Sequence, residues 1–194
     1  MHYYTDNWSV RLRAKALFLL KVDFRIEIVT RFDIKVNLVK GEIMENIFAK
    51  LKAHLLEGMV FHDEMMRYYG FLQMYECKDE HEEHYLKETE AYHALCDYYS
   101  NHYNMLIPTL PMARPDVIPE SWYKYTRQEV DEQTLKNAKR VGLKKWIEWE
   151  KKTKDLYQSA CKELFELGEV ASAIFVSQLV VDVDEELKEA MKHA

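Results

Sequence analysis

The chain has 194 residues, 48% hydrophobic and 31% charged, which is the length of one domain with enough apolar material for a sizeable core. Its formal net charge of -6, with both signs mixed along the chain, gives no basic footprint for nucleic acid, and no run approaches the roughly 18 apolar residues of a membrane span. Cys77, Cys96 and Cys161 form no CxxC pair, which argues against a disulfide framework or a thiolate zinc site and fits a reducing cytoplasm.

The only signal-like stretch follows Arg11, Arg13 and Lys15. Its apolar run over 16–20 falls short of the roughly 7 to 15 residues that export requires, so a cytoplasmic protein is expected. Over 22–38 apolar side chains recur with a period of two (Val22, Phe24, Ile26, Ile28, then Phe32, Ile34, Val36, Leu38), which predicts strand within residues 1–43. Lys40, Gly41 and Glu42 before Ile43 and Met44 can be encoded by a purine-rich stretch resembling a bacterial ribosome-binding site. Residues 1–43 are therefore expected to be an upstream extension of a domain over 44–194, which intact mass of the protein from its native host would check.

After Met44 the period becomes helical, and the whole chain has only five Gly and four Pro, so long helices meet few breakers. Helix 1 is predicted over 45–77, with Phe48, Leu51, Leu55, Met59, Met66 and Tyr69 on one face. A turn near Lys78 and Asp79 leads to helix 2, carrying Tyr85, Tyr92, Leu95, Tyr99 and Leu106 inward until Pro108. Residues 108–130 form the one long connection, with Trp122, Tyr123 and Tyr125 expected to pin it. Helix 3 is predicted over 131–167, Gly168 and Glu169 turn the chain, and helix 4 runs from Val170. About 24 connecting residues reach ~79 Å at ~3.3 Å each, against ~42 Å for helix 2. The expected fold is all-α: a four-helix bundle of two helical hairpins joined by one long crossover.

Residues placed at ~100° intervals show which polar groups share the apolar stripes. Glu90 and His93 make a Glu-x-x-His pair, the ligand motif of di-iron carboxylate bundles, yet they fall with Glu83, Asp97 and Asn101, opposite Leu95 and Tyr99. They are read as surface residues. The inward sector of helix 2 holds His81, His84, Glu88 and His102 instead. Helix 1 offers His62, with Glu57 on a side that is not cleanly polar; helix 3 offers Glu150 between Trp146 and Tyr157; helix 4 offers Glu186, with His193 beyond it. Glu150 and Glu186 are each 18 positions from Gly168, hence level in an antiparallel hairpin. His62 and Glu88 differ by about one turn, ~6 Å. Buried carboxylates must share protons, pair with protonated His or bind a cation. His62, His84, Glu88, Glu150 and Glu186 are a plausible set for one or two iron or manganese ions; a hydrogen-bonded network with the tyrosines is the alternative.

Glu150-Lys151-Lys152, Phe175 and the acidic run at Glu185-Glu186 resemble the second helical hairpin of ferritins over about forty residues. That resemblance implies a dinuclear carboxylate site with oxidase or ferroxidase-type chemistry. The first hairpin departs from it: Glu57 and the Glu90/His93 pair have the ferritin-like separation but not the inward facing. The stretch over 114–123 resembles small prophage-encoded proteins of Gram-positive bacteria, which implies a context rather than a chemistry. Two readings follow. One is a metal-binding ferritin-like bundle. The other is a metal-free interaction or structural protein, self-associating or bound to a host or phage protein.

Overall fold

A computed structural model describes the backbone over residues 7–112 and 130–192, and the side chains over 38–112 and 130–192. Four helices follow in order: α1 (Asn7–Phe71), α2 (Tyr75–Tyr103), α3 (Glu132–Glu166) and α4 (Val170–Lys192). The chain divides into two compact units, Met1–Ile43 and Met44–Ala194, and the first contains no strand among its described residues.

The period-two pattern over 22–38 is therefore a helix, and the β character expected there is corrected. The run contains no turn that could fold it into a hairpin. A lone strand would leave its N–H and C=O groups unpaired, whereas a helix satisfies them within the segment.

In the second unit the turns explain the helix limits. The first lies about five residues earlier than expected: Met74 N–H donates to the Tyr69 carbonyl at 2.9 Å and Gln73 takes a left-handed φ of 59°. Lys78 is already inside α2, paired with Glu82 at 2.8 Å, an i,i+4 contact that favours helix over turn. The C-cap of α2 is Asn104, also left-handed, so the helix stops before Pro108. The N-cap of α3 is Asp131, whose carboxylate accepts from Thr134 N–H at 2.7 Å. At the second turn Gly168 adopts φ 75°, where glycine carries no side-chain penalty, and the neighbouring Glu169 N–H donates to the Leu164 carbonyl.

Two core clusters mark the ends of the bundle. Phe48, Tyr99, Leu164 and Val176 gather at one end; Tyr69, Cys77, Ala138 and Ala190 gather at the other. The start of α3 thus lies beside the start of α2, so the connection between them traverses the bundle, and the crossover is observed. Its first residues run against α1, where Lys52 Nζ donates to the Ile107 carbonyl at 3.1 Å. Trp122, Tyr123 and Tyr125 lie outside the described residues. α3 continues without a break through Gly142; a Cβ there would fall on the Tyr69 hydroxyl, so the glycine admits a tyrosine between α1 and α3. Leu106 and His102, expected to face inward, are exposed. Leu106 lies beyond the end of α2, and His102 stacks on Tyr98 from outside at 5.3 Å.

Candidate metal centre

With the turn centred on Gln73, His62 and His84 are each eleven positions from it, while Glu88 and Gly58 are each fifteen. Antiparallel packing then brings His62 level with His84 and Gly58 level with Glu88. The structure shows both consequences. One ligand atom each from His62 on α1, His84 on α2 and Glu150 on α3 lie within 4.8 Å of one another, all buried. At Gly58 a Cβ would collide with the Glu88 carboxylate, so the missing side chain makes room for a buried acid.

His62 Nε2 stands 3.9 Å from Glu150 Oε1, which also accepts from the Trp146 indole N–H at 3.0 Å. On its other side His62 Nδ1 is 2.9 Å from His81 Nδ1. If His62 donates in that bond, its Nε2 lone pair faces Glu150, as a metal-ligating imidazole held by an outer partner would. His84 Nδ1 lies 3.5 Å from Glu186 Oε1 without a hydrogen bond. Glu186 itself is only partly buried. The ring of His84 packs edge-on to Trp146, 4.7 Å between centroids, which holds it in the core.

Three side-chain atoms of this group, His84 Nδ1, Glu88 Oε2 and Glu150 Oε2, are buried without a hydrogen-bond partner. Native interiors pair nearly all such atoms. A cation bound to them would supply the missing partner. Burial drives the electrostatics. It pushes the Glu150 carboxyl well above its usual range, reinforced by Glu186 and Glu88. It does the same to Glu88, helped by Glu186 and partly offset by the Trp149 indole N–H nearby, although that N–H makes no hydrogen bond of ordinary geometry. His62 is held well below its ordinary value by burial and by His81 and His84, and His81 is lowered to about 3 by burial and then His84. Without a cation, burial thus favours the neutral imidazole at His62 and His81 and the protonated acid at Glu88 and Glu150. Neutral imidazoles are ready to bind metal, and the carboxyl protons are what a metal ion would displace.

Of the five residues expected to form a site, His62, His84 and Glu150 come together as one group; Glu88 is buried one turn along, and Glu186 approaches His84 from α4. Glu90 and His93 are exposed. Glu57 lies at the α1–α3 seam, 3.5 Å from Lys152, and His193 lies outside the described residues. Periodicity missed His54, which is buried with its Nε2 2.8 Å from Thr153 Oγ1 and its ring stacked on Trp149 at 4.6 Å. The available signal was His54's position beside Leu55 and eight residues before His62 on the same helix. Gly58 gave a weaker signal, since an isolated helical glycine is as compatible with a surface position.

Comparison with family models, with curated proteins and with solved structures gives no match for this chain. The reading of the site therefore stands on its own geometry. Two buried imidazoles and one buried carboxylate from three helices form a group compatible with a metal ion, within an all-α four-helix bundle.

Proposed function

We propose that the bundle binds one or two transition-metal ions, iron or manganese, through interior Glu and His side chains. His62, His84 and Glu150 would hold the first ion, and Glu88 and Glu186 would supply the further oxygens that a second needs. The observation that carries the reading is the convergence of three buried ligand atoms within 4.8 Å, together with the orphaned His84 Nδ1 and Glu150 Oε2. Two imidazoles with carboxylates suit both metals. The pattern resembles ferritin-like bundles in drawing ligands from facing helices, but α2 contributes His84 and Glu88 at i,i+4 where those bundles use Glu-x-x-His.

A redox-active ion in this position would supply oxygen or peroxide reduction, or oxidation of ferrous ion. The chain's own residues would do the positioning. Trp146 fixes the Glu150 carboxylate by hydrogen bonding to Oε1. His81 fixes the His62 ring. The Tyr157 hydroxyl, buried beside these acids, is kept protonated by burial and by Glu88, Glu150 and Glu186, so it would act as a hydrogen-bond donor at the edge of the group.

Elemental analysis and calorimetric titration of untagged protein test the proposal. Binding of at least one equivalent of iron or manganese is expected, with release of protons from Glu88 and Glu150. Less than about 0.2 equivalents of any transition metal after reconstitution would favour the metal-free reading, in which the His62–His81, His54–Thr153 and Trp146–Glu150 hydrogen bonds are a structural network.

A further inference from the structure

A cleft of about 550 Å³ opens between α2 and α4 and reaches Glu88, Glu186 and Tyr157 at the edge of the metal-compatible group. That volume lies within the range of small-molecule sites and far exceeds what a bare ion needs. The helix pair fixes how the lining is distributed. His84 opposes Glu186, and Tyr98 opposes Ser172 and stacks on Phe175 at 4.2 Å. Residues low in α2 and high in α4 therefore line one end, and the reverse holds at the other. Glu186 and Glu189 stand at one end with Lys87, while Ala91, Ala94 and Phe175 stand at the other.

The charge is one-sided. Six lining side chains are carboxylic acids and one is an amine, and that amine, Lys87, is already paired with Glu83 at 3.1 Å. An anionic ligand would be disfavoured at the acidic end, and a wholly polar cation would leave the apolar end unmatched. A second observation points to a ligand: Glu88, 93% buried by its 7% exposure, lines the cleft with Oε2 unpartnered.

We infer that this cleft binds an amphipathic organic cation, a primary amine carrying an apolar chain or ring. The ammonium lies among Glu186, Glu189 and the floor at Glu88, and the apolar part lies against Ala91, Ala94 and Phe175. The inference does not require the metal reading, since the cleft is defined by its own lining.

The test is calorimetric titration of the full-length, chelator-treated protein with butyl-, hexyl- and octylammonium and with octanoate. Saturable binding of one ammonium per chain is expected, tightening about fourfold per added methylene, with octanoate at least about tenfold weaker than octylammonium. Ala94→Trp, at an exposed position where a large ring occupies the apolar end, should weaken octylammonium at least about tenfold. Glu189→Lys should narrow the preference for ammonium over carboxylate. Octanoate binding as tightly as octylammonium, or two variants that bind octylammonium as the parent does, would overturn the inference. Amine binding without metal uptake would uphold the cleft and remove the metal reading; metal uptake without amine binding would overturn the cleft alone.

Discussion

Around Phe48, Leu51, Leu55, Leu95 and Leu164 the core is closed, each side chain having no exposed surface. A few turns along the same helices it holds His54, His62, His81 and His84 with Glu88 and Glu150, all at least nine-tenths buried, and three of their polar atoms lack partners. Both regions use the same helices and similar aromatic packing. The apolar end gains from removing carbon from water, whereas the polar end carries desolvated acids and bases that a purely structural core would replace with leucine at no loss of stability. The contrast separates a half that stabilises the fold by apolar burial from a half whose buried acids and bases are costly to desolvate, and each of the following experiments tests that division.

The largest effect should come from the apolar half. Phe48→Ala removes a fully buried ring that packs against Tyr99 at 4.8 Å and should lower unfolding free energy by about 3 to 5 kcal/mol, equally with and without added metal. Denaturant melts measure it. Glu150→Gln keeps an oxygen acceptor for Trp146 and should shift the metal-free protein by less than about 1 kcal/mol. A loss as large as that of Phe48→Ala would erase the distinction between the halves.

Metal affinity should respond in the opposite way. Glu150→Gln and Glu88→Ala each remove an oxygen that becomes anionic on binding and should weaken iron or manganese by at least about 100-fold, the upper end of what an outer partner is worth. Phe48→Ala, once folded, should bind as the parent does. Calorimetric titration of the three proteins decides.

The pH profile should show the polar half directly. His54 is lowered from 6.5 to about 3 by burial and then by Lys152, and His81 and His62 are also lowered. Their contribution to stability is present above pH 6.5 and is lost as pH falls toward the folded values. Glu88 and Glu150 are raised above 4.5, so theirs is present below pH 4.5 and is lost as pH rises through the folded values. The three histidines make stability rise with pH up to about 6.5, and the two glutamates make it fall on the alkaline side, so metal-free stability should decline above about pH 6.5. Saturating metal holds the glutamates ionised and should flatten that decline. Urea midpoints across pH, with and without chelator, give the answer, and an unchanged alkaline limb on metal addition would count against Glu88 and Glu150 as ligands.

The smallest effects belong to the surface. Glu90→Ala and His93→Ala should each stay within about 0.5 kcal/mol in melts and leave metal titration unchanged. If these two are the variants that lose metal, the division of the α2 face between core and solvent is wrong.

Much of this was legible in one dimension. Scarcity of Gly and Pro, the helical period after Met44, a helix start near Asp131 and a turn at Gly168 pointed to four helices in two hairpins, because helix limits and turns are local chemistry. The facing of His62, Glu88 and Glu150 was legible too, since ~100° per residue places them among Leu and Tyr whatever their partners. The strand expected over 22–38 failed because periodicity says nothing about whether a partner strand exists. What only the tertiary structure decided was register. Moving the first turn from Lys78 to Gln73 brings His62 opposite His84 instead of nearer Glu88, and sets Gly58 against the Glu88 carboxylate. A turn without Gly or Pro leaves no sharp mark in the sequence, whereas packing of α1 against α2, with Gly142 admitting Tyr69 and Gly58 admitting Glu88, tolerates few alignments, because side chains on facing helices must interdigitate without overlap.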